Sequence, residues 1–109
     1  MKRVLLALSI LLISKFVYPI DLYWNVNYTA YEHNMSVTAT VYVENVEQQN
    51  EMLELAAFCG DELRASALPM VSKVTGKLIY SITIYGHEDN EDLTFKLYDH
   101  ASNEVSELV

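Results

Sequence analysis

The sequence predicts an all-β fold: an antiparallel sandwich of about seven strands, preceded by a short apolar leader. Three observations carry this. From residue 21 onward apolar and polar residues alternate with period two, in runs rich in Val, Thr, Tyr and Ile. Polar clusters containing Asn, Asp, Gly or Pro separate those runs. No long window keeps the apolar spacing of a helix.

The leader comes first in the chain. Met1-Lys2-Arg3 is basic, and Val4 to Ser14 carries no charge. That layout is the one of a secretory signal peptide. The apolar stretch is shorter than the roughly 18 to 20 residues that span a bilayer. Lys15 ends it before Phe16-Val17-Tyr18-Pro19-Ile20. A permanent membrane span is therefore not expected, and cleavage is placed near Pro19 to Asp21. The predicted organisation is a signal peptide over residues 1–20, as a helix, and one β-sandwich domain over 21–109. The full chain of 109 residues has a formal charge of −8. Removing the leader leaves 4 basic residues against 15 acidic ones, a charge near −11. A surface this acidic argues against nucleic acid as a partner, because phosphate contacts need a basic face.

The first strand is expected over Leu22 to Asn27. In Met35 to Val43, the residues Val37, Ala39, Val41 and Val43 face one way while Ser36, Thr38, Thr40 and Tyr42 face the other. One face is packed and the other wet. Met52 to Cys59 follows. Helix competes there through Glu47, Glu51 and Glu54, but Gly60-Asp61 supplies a two-residue hairpin turn into Glu62 to Leu68. A strict two-residue loop puts Leu53 and Leu55 on the opposite face from Phe58. Either both faces are partly covered or a bulge shifts the pairing. Lys77 to Tyr85 alternates again, with Leu78, Tyr80, Ile82 and Ile84 sharing a face. Leu93 to Tyr98 and a short Glu104 to Leu108 complete the set. Turns are expected at Glu32 to Asn34, Glu44 to Asn50, Pro69 to Gly76, Gly86 to Asp92 and Asp99 to Asn103.

The chemistry-bearing residues are sparse. Gly86 to Asp92 gathers four carboxylates, an amide and an imidazole, and Glu88, Asp89, Asn90 and Asp92 are candidate calcium ligands because hard oxygens suit that ion. The loop lacks the spaced pattern of a calcium loop, so a solvated hairpin tip is the competing reading. His33, His87 and His100 show no zinc spacing, and no nucleophile elbow or phosphate-cradling loop is present. No enzyme is expected; a hydrolase using carboxylates among Asp61, Glu62 and Glu88 is the remote alternative. Trp24, Tyr28 and Tyr31 are candidate ligand-binding residues, since an aromatic strip stacks on sugar rings, with core packing of Trp24 as the alternative. Arg64 is expected to pair with Glu62 or Asp61. Cys59 is the only cysteine, so no disulfide can form within the chain, and a packing role is expected for it.

Four blocks then resemble something specific: Tyr31 to Ala39, Leu53 to Arg64 with its Ala-Phe-Cys-Gly-Asp-Glu-Leu-Arg core, Tyr80 to Gly86 ending Ile-Tyr-Gly, and Leu93 to Asp99 reading Leu-Thr-Phe-Lys-Leu-Tyr-Asp. Together they resemble an Ig-like or fibronectin-like β-sandwich module of secreted and cell-surface proteins of Bacteroidetes. Leu63 stands where that module often has Cys, and Ala65 where it often has Gly. The resemblance implies an exported accessory module with no catalytic residue. A protein-binding or adhesion role at the cell surface is the leading expectation, with carbohydrate binding through Trp24, Tyr28 and Tyr31 second. No cofactor is implied beyond the possible calcium.

Overall fold

The computed structural model describes residues 20–88 and 90–108. Residues 1–19 of the expected leader, and the calcium candidate Asp89, lie outside the described residues. Among the described residues the strands are β1 (His33–Ala39), β2 (Tyr42–Val43), β3 (Val46–Glu47), β4 (Leu53–Cys59), β5 (Glu62–Ala67), β6 (Met70–Val71), β7 (Leu78–Gly86), β8 (Thr94–Asp99) and β9 (Glu104–Leu108). One sheet has the order β1-β7-β6 and the other β5-β4-β8-β9, with β2-β3 as a separate hairpin. Every pairing is antiparallel. The all-β antiparallel sandwich predicted from the sequence is the fold, with nine strands among the described residues rather than about seven.

The inward faces follow the period-two pattern. Leu53, Leu55 and Ala57 of β4, Ala65 of β5, Leu97 of β8 and Tyr80, Ile82 and Ile84 of β7 form the buried cluster, joined by Val41. Tyr80 is the largest side chain in it. Its hydroxyl donates to the Leu53 carbonyl at 2.8 Å, and burial pushes the phenol up to about 12. A hydroxyl at that depth needs a partner, and the Leu53 carbonyl supplies it.

The β4–β5 hairpin turns on Gly60-Asp61, with Gly60 at φ +60, a region open to glycine at no steric cost. Cys59 pairs with Glu62 and Phe58 with Leu63, then the register shifts so that Ala57 pairs with Ala65. Arg64 is the residue left over, the extra one of a β-bulge. Both sequence alternatives are thus realised. The bulge aligns Ala65 and Ala67 with Leu55 and Ala57 over the core, and the opposite face of β4 is covered as well.

Its cover is the segment expected to be the first strand, which corrects that expectation. Residues Leu22 to Asn27 form no strand. The amides of Tyr23 and Trp24 both donate to the Glu54 carboxylate of β4, at 2.8 and 2.9 Å. Consecutive N–H groups point to opposite sides in a strand, so the backbone must bend to aim both at one acceptor. A 3-10 turn at Tyr28–Ala30 follows.

The run Met35 to Val43 is likewise divided. β1 ends at Ala39, Val41 turns into the core, and Tyr42-Val43 starts the β2–β3 hairpin. Glu44 and Asn45, at φ 51 and 66, make the tight turn, with both central residues in the left-handed region as a type I′ hairpin requires. The Gln48 amide then donates to the Val41 carbonyl at 2.8 Å, closing this end. The two-residue β6 falls where only a turn was expected.

Candidate functional site

The three aromatic candidates are divided between two places. Tyr23 stacks flat on Tyr98, with ring centroids 3.7 Å apart and planes 5° apart. Trp24 meets Phe58 edge-on at 5.7 Å and 82°, so its ring is half-buried on the outer face of the second sheet. Beneath them Glu54 is fully buried. One oxygen takes the Tyr23 N–H and His100 Nε2, each at 2.8 Å; the other takes the Trp24 N–H at 2.9 Å and the Ser66 hydroxyl at 2.8 Å. A buried carboxylate is tolerated when its lone pairs are filled in this way. Tyr28, by contrast, is exposed and lies near Tyr85, which in turn lies near Tyr31. A groove of about 330 Å³ is lined by Trp24, Tyr28 and Tyr85 with Ser66, Ser81 and Thr83, among others. Trp24 and Tyr28 therefore share a groove, and Tyr31 is not part of its lining.

Tyr31 belongs to a second cluster, centred on Arg64. The bulge aims this guanidinium under the Gly86 to Asp92 loop, where it is almost wholly buried. It grips Glu91 with two parallel bonds of 2.9 and 2.7 Å, reaches Glu62 at 3.0 Å and donates to the Tyr85 carbonyl at 3.2 Å. The expected pairing with Glu62 is present, but the planar fork matches Glu91. Hydrogen bonding to Glu91 holds the Arg64 guanidinium well above its usual range. Arg64, together with the amides of Glu88 and His87, holds the Glu91 carboxyl well below the carboxylate range. The Tyr31 hydroxyl donates to Glu62 at 2.7 Å and lowers that carboxyl too. The Tyr31 ring lies 4.9 Å from the guanidinium carbon. The half-buried Cys59 thiol is 3.7 Å from Glu91.

The loop carboxylates are thus not equivalent. Glu91 turns inward to Arg64, while Glu88, Asn90 and Asp92 lie exposed at the loop surface. Among the described residues no group of three or more His, Cys, Asp and Glu side chains is gathered to hold a metal ion. Asp61 is exposed at the β4–β5 turn, apart from this network. Gly86 makes the network possible: a Cβ there would lie 2.7 Å from Glu91 Oε1 and 3.4 Å from Arg64 Nη1. Gly86→Ala is therefore expected to cost about 1 to 3 kcal/mol by overpacking, measured by denaturant unfolding. A neutral result would mean that the Arg64–Glu91 pair yields freely.

A third feature is a long, open sheet edge. β1 pairs with β7 over seven uninterrupted residue pairs, from His33↔Gly86 to Ala39↔Tyr80. Among the described residues nothing pairs with its other side. Edges are ordinarily guarded by lysine, proline or a bulge. The sequence of β1, His-Asn-Met-Ser-Val-Thr-Ala, has none of these. Met35 faces inward with Ile84, yet it is 53% exposed, so the interior is uncovered beside this edge. Residues 22–27, expected as a strand ahead of β1, bend toward Glu54 and do not pair with this edge.

No family model, curated protein or solved structure matches this chain, and its function is read from the geometry.

Proposed function

We propose that this chain is an exported, non-catalytic β-sandwich module that binds another protein at the cell surface, taking a strand of that partner onto the edge of β1. The observation that carries this reading is the unguarded edge: a seven-residue strand in unbroken register with β7, with no lysine, proline or bulge. Strand addition draws affinity from main-chain hydrogen bonds and specificity from alternate side-chain pockets. The basic-then-apolar start of the chain and the resemblance to exported Bacteroidetes modules support the location. Met35→Lys places a charge inward on the edge, the device by which natural edges are closed. Wild-type protein immobilised on beads is expected to retain a partner from solubilised cell envelope, and Met35→Lys is expected to lose it. Equal capture by both would sink the reading.

A second reading is favoured by the groove of Trp24, Tyr28 and Tyr85, whose aromatic rings and three hydroxyl side chains suit a carbohydrate. It predicts that polysaccharide shifts the fluorescence of Trp24 and that Tyr28→Ala removes the shift. An unchanged spectrum in wild-type protein dismisses it.

A further inference from the structure

The two sheets are unequal in a way that defines the missing strand. β5 and β7 lie side by side, and β6 follows β5 directly, so these strands mark one flank of the sandwich. In the orders β6-β7-β1 and β5-β4-β8-β9, the opposite flank holds the open edge of β1 and the last strand, β9. Among the described residues the first sheet has no strand to lie over β9. The side chains show it. Leu108, opposite Phe95, packs on the core but stays half-exposed; Ser106 and Glu104, which share its face, are exposed.

A pocket of about 220 Å³ lies on this flank, floored by Val43, Leu53, Leu97 and Leu108 and rimmed by Asp99 and Glu104. An apolar floor with a carboxylate rim fits a long aliphatic stem ending in a cation, which is how lysine and arginine bury themselves. Glu104 makes no ion pair among the described residues. The chain's formal charge of −8 disfavours a second copy as occupant and favours a basic one.

Resting on the edge-binding reading above, we infer that the occupant is an extended, basic strand of a partner protein, paired with β1 and seating a lysine or arginine in the pocket between β9 and the β2–β3 hairpin. The test titrates the purified protein with a synthetic peptide of alternating valine and lysine, with a valine–glutamate peptide as control. Amide exchange along β1 and thermal unfolding are followed. The lysine peptide is expected to protect β1, raise the Tm and bind at least about tenfold more tightly than its control, less so at high salt. Glu104→Lys, an exposed change that leaves the core intact, is expected to weaken the lysine peptide about fivefold. Equal binding of both peptides, or none, overturns the inference. So does protection of β1 before any peptide is added, by residues 1–19 or by a second copy. If Met35→Lys abolishes envelope capture but the peptides are not distinguished, edge binding stands and the basic strand falls. If no partner is captured at all, both fall.

Discussion

Glu54→Ala is expected to release residues 22–26 from the second sheet while the core between the sheets stays folded. In the wild type, the fully buried carboxylate satisfies two backbone amides, the Ser66 hydroxyl and His100 at once. Removing it leaves those donors without an acceptor, and the segment regains water only by lifting away. The expected loss is about 3 kcal/mol, within the range for breaking a buried, charge-assisted network. Ser66→Ala removes one donor of the four and is expected to cost about 1 kcal/mol. The single tryptophan reports the event directly, because Trp24 rests on Phe58 only while its amide is held. A red shift of its emission at denaturant concentrations where the core remains folded is the expected signature. Unfolding of segment and core together, at wild-type stability, contradicts it.

Arg64→Ala is expected to cost about 1 to 3 kcal/mol at neutral pH, as the loss of charge-assisted hydrogen bonds to a partly exposed carboxylate does, and to loosen the Gly86 to Asp92 loop. The pH dependence identifies the partner. The Glu91 carboxyl lies well below its ordinary value of 4.5 in the fold, first because Arg64 bonds to it and then because the Glu88 and His87 amides do. A carboxyl depressed by folding contributes stability that is complete above the ordinary value. That contribution is lost as pH falls from there through the folded value. Glu62, lowered chiefly by the Tyr31 hydroxyl, adds in the same direction. Wild-type stability is therefore expected to decline with acidification below about pH 4.5. Glu91→Gln starts lower at pH 7 and declines less. Parallel wild-type and Glu91→Gln curves below that pH would show that the pair does not act this way.

Where side chains alternate along a single strand, the sequence is enough. Tyr80, Ile82 and Ile84 share the inward face of β7, and Leu93, Phe95 and Leu97 pack on the core, because burial of one face imposes the period. The Gly60-Asp61 turn was legible for the same reason, while the bulge after it stood as one of two alternatives until the pairing of Ala57 with Ala65 decided it. What was not legible depends on pairs far apart in the chain. Glu54, polar between Leu53 and Leu55, reads as facing solvent; nothing near it signals that Tyr23 and Trp24 cover it. Leu22, Trp24 and Val26 alternate like a strand, but capture of two successive amides by one carboxylate outweighs the weak strand preference. Among the described carboxylates between Gly86 and Asp92, only Glu91 meets Arg64, a distinction set by the bulge and by the open space at Gly86. The sequence reads Glu32 to Asn34 as a turn; that β1 begins at His33, and that nothing pairs with its outer side among the described residues, depends on its register with β7.

The open edge of β1 and the docking of Tyr23 and Trp24 on Glu54 are tested most directly by residue-resolved amide hydrogen exchange on the purified protein. Expected are slow exchange at Tyr23 and Trp24, and along β1 an alternation of slow amides bonded to β7 with fast ones facing outward. Uniform protection of β1, with one of the Tyr23 and Trp24 amides slow and the other fast, would mean that residues 22–27 pair with the edge as a strand, and that the binding edge does not exist.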